Sequence, residues 1–425
     1  MVPTIKKRQC SPEKEFDPLS NRSKQICVPL DQDNYQQVVK DAGQFRAELD
    51  PLIKEFPELF PVGIEQGYTL HDILPSSKKM PEIRLRRIKI EASRETFTLR
   101  PAFVLPYMGG YTEAVEMPLL LRRWAVPYWV LVIIFGRDED YWYRLENRLG
   151  RYSLVGTTVQ TPAKLPQDLL ADEKHTTFNG QKAYIATTVG QDCVLGASVV
   201  LGADAASLTE AYTHFKTEAQ NLAPDYSPAT VNTDGWLSTH LAWQSLFSSI
   251  TVILCFLHAF INIRARCQRF KAQYQTLKTK VWQAYHAVDR ATFLQQIDEL
   301  KSWATQHLPA GSAGLETVFK LCAKAPQFAL ASDHPAAYRT SNMIDRHMRP
   351  MSRYLEAGQG YHGHLLSAEY SIRAWALLHN FWPYCPRAKV AEQFISPAHK
   401  LNGRIYHNNW LHNLFISASM GGYRQ

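Results

Sequence analysis

Short runs of apolar and alternating residues fill the middle of the chain, and three-to-four-residue periodicity dominates on their C-terminal side. Residues 182–189 (KAYIATTV) and 193–201 (CVLGASVVL) read as strands. Asn179-Gly180 precedes them, a pair suited to a tight hairpin, so 169–176 is expected to supply an antiparallel partner. Residues 207–222 form an amphipathic helix. A short β-branched strand at 229–233 then ends on Asp234-Gly235, followed by a helix at 241–247 and a strongly apolar strand at 250–256. The expected order is three antiparallel strands, a helix, a fourth strand, a helix and a fifth strand.

Beyond this region the pattern is helical. Tyr274, Leu277, Val281, Tyr285 and Val288 form one stripe. Asp289 is an N-cap for a second helix, striped by Phe293, Ile297, Leu300 and Trp303. Pro309-Ala310-Gly311-Ser312 breaks the chain before a third helical segment. Residues 368–384 predict an amphipathic helix rich in aromatics, expected to pack across the sheet, and the chain after Pro386 reads as a docking tail. On the N-terminal side, residues 1–32 lack periodicity and are expected to be mobile. A helix is expected over 34–60 and paired strands over 84–90 and 95–105. Two helices at 126–135 and 139–149 are joined through Gly136-Arg137-Asp138. That pair suits a helix-turn-helix whose second helix presents Arg144, Asn147, Arg148 and Arg151 to DNA, or a plain helical hairpin packed on the core. Arg84, Arg86 and Arg87 offer either a phosphate contact or a solvated sheet edge.

Candidate chemistry lies where strands end. Asp234 sits at the C-terminal tip of a buried strand, where open α/β sheets place their ligands, or it caps the next helix. Asp172 lies in the first strand, and Glu173 beside it faces the other side. This arrangement of strands and acids resembles the ribonuclease H-like fold shared by DDE transposases and retroviral integrases. There the first and fourth strands are neighbours, which implies that Asp172 and Asp234 lie close together. Cys255-Phe256-Leu257-His258 at the end of the fifth strand resembles the Cys-x-x-His signature of Mutator-like transposases, which also carry a helical insertion before their last acid. Thr340-Ser341-Asn342-Met343-Ile344-Asp345 is similar to the setting of that acid, although the family usually has Glu there. Glu369 is the rival third acid.

The resemblance covers roughly residues 165–385. It implies an α/β fold with a ribonuclease H-like mixed five-stranded sheet, an all-helical insertion and an N-terminal mixed α/β DNA-binding region. The expected division is 1–32 as the mobile segment, 33–165 for DNA binding, 166–258 and 339–385 for the core, 259–338 for the insertion and 386–425 as a tail. The implied activity is that of a bacterial insertion-sequence transposase, with Asp172, Asp234 and Asp345 holding Mg²⁺, or Mn²⁺ in its place, to cut and rejoin double-stranded DNA at element ends and target. Two ions about 3.5–4 Å apart suit such an in-line displacement. The implied assembly is a homodimer or larger on DNA. A domesticated DNA-binding protein without activity and a structure-specific nuclease of the same fold are the alternatives. For zinc, Cys255 and His258 have only Cys267 nearby, short of four ligands, which favours a structural role.

Composition changes this picture little. The chain has 425 residues, enough for two or three cores, and Lys+Arg exceed Asp+Glu by 47 to 39, which suits a polyanionic partner. The 7 cysteines are scattered and odd in number, which speaks for a reducing compartment, and the resemblance implies a cytoplasmic, nucleoid-associated bacterial protein. The first ten residues are basic without an apolar core, so no signal peptide is expected. The apolar stretches at 128–135 and 241–263 are respectively too short and too polar to be expected to span a membrane.

Overall fold

The computed structural model of the protein describes residues 16–423. It is a mixed α/β structure with two mixed sheets, one of four strands and one of five. The first sheet takes β1 (Gln25–Val28), β2 (Tyr68–Leu74), β3 (Leu85–Ile90) and β4 (Thr96–Pro101) in the order β1-β4-β3-β2. β1 runs parallel to β4, and the remaining pairs are antiparallel. This corrects the expectation of a mobile segment over 1–32. Ile26, Cys27 and Val28 are buried in the sheet, an apolar run too short to give a period; residues 1–15, with the basic N-terminus, lie outside the described residues. The helix expected over 34–60 divides into α1 (Tyr35–Val38) and α2 (Ala42–Glu55). Asp41 is extended between them, and its Oδ1 accepts the Gly43 and Gln44 N–H groups at 2.8 and 2.9 Å, which starts the second helix afresh. Helices α3 (Glu113–Arg123), α4 (Tyr128–Phe135), α5 (Glu139–Leu149) and α6 (Leu154–Thr158) lead to the second sheet.

That sheet contains β5 (Asp168–Phe178), β6 (Gln181–Gly190) and β7 (Cys193–Val200), then α7 (Ala205–Leu222), β8 (Thr230–Thr233), α8 (Leu237–Leu246) and β9 (Thr251–Leu254). The strand order is β7-β6-β5-β8-β9; β5, β6 and β7 are antiparallel, and β5, β8 and β9 are parallel. Asn179 and Gly180 both take positive φ, as the tight β5–β6 turn requires. The chain continues through α9 (Phe256–Cys267), α10 (Lys271–Tyr285), α11 (Arg290–His307), α12 (Ala313–Ala323) and α13 (Ala325–Ala329). These helices share a core of their own, built on Leu277, Val281, Phe293, Ile297, Leu300 and Val318. Val288, expected in the stripe, is exposed because α10 ends at Tyr285.

After α14 (Asn342–Ala357), α15 (Leu365–Phe381) crosses the middle of the molecule with twelve buried residues. It closes the edge of β7 with side chains: Asn380 accepts the Val194 N–H and donates to the Val194 carbonyl, each at 2.8 Å, while Glu369 accepts the Val199 N–H at 2.7 Å. Arg373 forms a fully buried ion pair with Glu218 of α7 and donates to the carbonyls of Gly150 and Tyr152 at 3.0 Å. The last helices, α16 (Pro397–Asn402) and α17 (Trp410–Ser417), correct the expectation of a tail. Every residue of α17 is buried, and the apolar residues Leu411, Leu414, Phe415 and Ile416 belong to the main core.

Replacing Arg373 by Met should strand the Glu218 carboxylate in the interior and cost about 3–5 kcal/mol. Urea unfolding of Arg373→Met and of Arg373→Met with Glu218→Leu tests this. The double variant should recover much of the loss, and equal losses in both would show that packing, not charge, sets the cost.

Candidate functional site

Strand parity decides which groups meet where the C-terminal end of β8 lies level with the middle of β5. Asp168 pairs with Thr230, Leu169 with Val231 and Leu170 with Asn232, so the same register carried four residues on sets Asp172 level with Asp234. Leu169, Ala171 and Val231 point into the core beneath α7 and α8. Glu173 shares that side and is buried, accepting the Tyr212 hydroxyl at 2.6 Å and the Thr239 hydroxyl at 2.9 Å. Burial pushes its carboxyl up to about 7. Asp172 faces the other side, where the segment before α14 passes and Asn232 donates to the Tyr338 carbonyl at 2.8 Å.

The Asp172 carboxyl is pushed up to about 6, first by burial and then by the charge of Asp234, with Asp345 adding to it. Asp234 lies just beyond β8, is exposed, and accepts the Trp236 N–H at 2.8 Å, so it both turns the chain and borders the crevice. Asp345 stands exposed in the first turn of α14. The Ser341 hydroxyl donates to its Oδ2 at 3.0 Å, and the Ser341 N–H donates to the Cys255 Sγ at 3.1 Å. Cys255 is in turn held to β8 by its own N–H, which donates to the Thr233 carbonyl at 2.7 Å. His258, one turn into α9, is pushed up to about 9 by the Cys255 thiol and by the charges of Asp234 and Asp345. Burial alone would raise the Cys255 thiol, but hydrogen bonds from His258 and Ser341 outweigh it and lower it. The Cys-x-x-His pair thus links the end of β9 to the helix that carries Asp345.

A cavity of about 340 Å³ opens beside Asp234 and His258, and Arg266, Lys320 and Lys324 add positive charge to it. Among the described residues no group of three His, Cys, Asp or Glu stands ready to hold a metal ion. The donor chemistry nevertheless fits a hard divalent cation, because carboxylate oxygens are its preferred ligands. The Asp172 carboxyl is raised first by burial and then by the charge of Asp234, and a bound cation would favour its ionised form.

The rival acid lies elsewhere. Glu369 is buried against the outer edge strand β7, two strands from β5, with His214 Nδ1 at 3.4 Å. Of the basic residues nominated for DNA, Arg86 is buried and donates twice to the Val39 carbonyl, and Arg87 pairs with Asp72. Strand alternation turned the one inward and gave the other a cross-strand acid, while Arg84 stays exposed. Asn147 is buried and donates to the Tyr143 carbonyl at 3.1 Å, and Arg144 pairs with Asp140 at 2.8 Å. The α4–α5 hairpin packs on α15, and Glu146 on its inner face binds Arg122, Tyr128 and Tyr354. Arg148 and Arg151 remain exposed. Ser341 and Lys324 escaped the sequence reading: the first stood only as one residue of the motif around Asp345, and the second is one of many lysines.

The chain matches no family model and no curated protein. Among the described residues no helix is long and apolar enough to cross a membrane.

Asp172 ionises less readily in the folded chain than in the unfolded one, near 6 against 3.8. Folding is therefore unpenalised below the unfolded value and loses stability as pH rises through this window. Asp172→Asn should melt above the wild type at about pH 7.5, by a margin on the order of 1–3 kcal/mol, with the gap closing by about pH 4. Thermal unfolding across pH checks this, and a gap that persists undiminished in acid would contradict it.

Proposed function

We propose that the chain is a DDE-type polynucleotidyl transferase of ribonuclease H-like fold, a transposase that cuts double-stranded DNA at element ends and joins it to a target. The observation that carries the reading is the strand register that sets Asp172 level with Asp234, with the start of α14 and Asp345 tied to the end of β9 through Ser341 and Cys255, three acids far apart in sequence. The strand order β7-β6-β5-β8-β9, the helical insertion after β9 and the acid at the start of α14 support it. Phosphodiester cleavage develops negative charge that carboxylates alone would oppose, so the reading requires cations. Asp172, Asp234 and Asp345 would hold Mg²⁺ or Mn²⁺, which supplies an activated attacking oxygen and a stabilised leaving one.

The chain's own residues have distinct tasks in this account. Ser341 holds the Asp345 carboxylate, and Cys255 holds Ser341. His258 keeps a proton at the crevice beside Asp234 and Asp345. Arg266, Lys320 and Lys324 bind the phosphates of the strand entering the adjoining cavity. Assembly as a homodimer or larger on DNA belongs to the same proposal. A structure-specific nuclease would use the same carboxylates without joining strands, and the presence of all three acids weighs against an inactive DNA-binding protein.

With Mg²⁺ and DNA carrying the element ends, Asp172→Asn, Asp234→Asn and Asp345→Asn should each lower strand cleavage by about a thousandfold or more, several kcal/mol of transition-state stabilisation. Glu369→Gln keeps an acceptor for the Val199 N–H and should cleave normally. Single-turnover cleavage and joining assays read both steps. Cleavage by Asp172→Asn at the wild-type rate would sink the proposal, and cleavage without joining would favour the nuclease.

A further inference from the structure

A second cavity, of about 570 Å³, lies away from the carboxylates where β1, β4 and α5 meet the end of the chain. Arg22, Lys24, Arg100, Arg148 and Arg151 all line it, and among the described residues no Asp or Glu does. The decisive residue is Arg100, only 3% exposed. Its guanidinium donates to Gln25 Oε1 at 3.0 Å and to the Val104 carbonyl, both neutral, and among the described residues it forms no ion pair. A buried cation normally sits against a compensating negative charge, because desolvating it otherwise costs several kcal/mol. Among the described residues Arg148 and Arg151 also have no acid partner. Arg148 lies over the Tyr107 ring at 5.6 Å and Arg151 over the Tyr370 ring at 5.3 Å. Among the described residues only Lys24 of this group has a carboxylate partner, the exposed Glu95 at 2.8 Å. Among the described residues, Arg22, Arg100, Arg148 and Arg151 thus surround this space without a carboxylate partner.

We propose that this cavity binds the backbone phosphates of a DNA strand, with Arg100 at its floor and Arg148 and Arg151 at its rim. The volume is in the range of small-ligand sites and suits a nucleotide unit better than a bare ion. Tyr107 is 79% exposed at the cavity and offers an aromatic face on which a base or sugar can lie. Arg148 and Arg151 thus act as a phosphate clamp and not as base readers on a recognition helix. The choice of DNA over a free phosphate compound rests on the function proposed above, whereas the clamp needs no metal and no carboxylate of the other site.

The test uses the full chain in EDTA, with fluorescence anisotropy of labelled duplex and single-stranded DNA followed over a salt titration. Each phosphate contact contributes about 0.9 to the slope of log affinity against log salt for duplex and about 0.7 for single strands. Arg148→Gln with Arg151→Gln should reduce the slope by nearly two contacts and weaken binding by about tenfold or more. Arg144→Gln, which removes the same kind of charge from a residue paired with Asp140, should leave the slope unchanged. No DNA binding by the wild type, or equal slopes in the clamp and Arg144 variants, overturns the proposal. Displacement of DNA by inorganic pyrophosphate or ATP at micromolar concentration would also overturn it, by assigning the cavity to a free phosphate compound. A lost slope in the clamp variant alongside a wild type that cannot cleave would leave the clamp standing and remove the transferase.

Discussion

β5 is hydrogen-bonded to an antiparallel strand on one side and a parallel strand on the other, and the candidate site depends on that position. The antiparallel side needs only the tight turn at Asn179 and Gly180. The parallel side needs a crossover, which α7 provides, and the crossover brings the end of β8 level with the middle of β5. The alternation of side chains then separates two neighbouring acids. Glu173 becomes an internal hydrogen-bond acceptor beneath α7 and α8, and Asp172 faces the crevice. A shift of register by one residue would exchange their roles.

The remaining elements hold this arrangement in place. α15 serves as a side-chain substitute for a missing strand at the β7 edge and joins the sheet to α7 through Arg373 and Glu218. The β6–β7 turn reaches across to the segment bearing Asp345: the Asp192 N–H donates to the Met343 sulfur at 3.2 Å, and the Asp192 carboxylate lies 3.6 Å from His347 Nε2. Cys255 and Ser341 secure the same segment from the β9 side. Asp345, although on a helix far along the chain, is therefore braced on two sides before any ligand arrives.

Much of this was legible in the sequence. The strands of the second sheet, the turn between β5 and β6 and the cap at Asp289 all follow local rules, in which hydrophobic period and turn chemistry agree. The acids at 234 and 345 could be singled out because each stands at an element end, and Asp172 because it lies in the first strand of the expected order. Local rules failed where tertiary packing decided the outcome. β1 has only three buried residues and is defined by its partner β4. α17 is polar enough to read as a tail, yet His412 and Asn413 are buried with it. Arg86 and Asn147 looked like surface readers of DNA, and only their neighbours turn them inward. That Arg100 has no acid partner among the described residues leaves no trace in the sequence, because it arises from which residues fail to meet it.

The account stands on Asp172, Asp234 and Asp345 acting as one donor set. A crystal structure of the wild-type protein grown with Mn²⁺, recorded at the manganese absorption edge, tests that most directly. Anomalous density bounded by the carboxylates of Asp172 and Asp234, with Asp345 drawn toward it, is the predicted result. Density elsewhere, or none at these carboxylates at millimolar Mn²⁺, would contradict it.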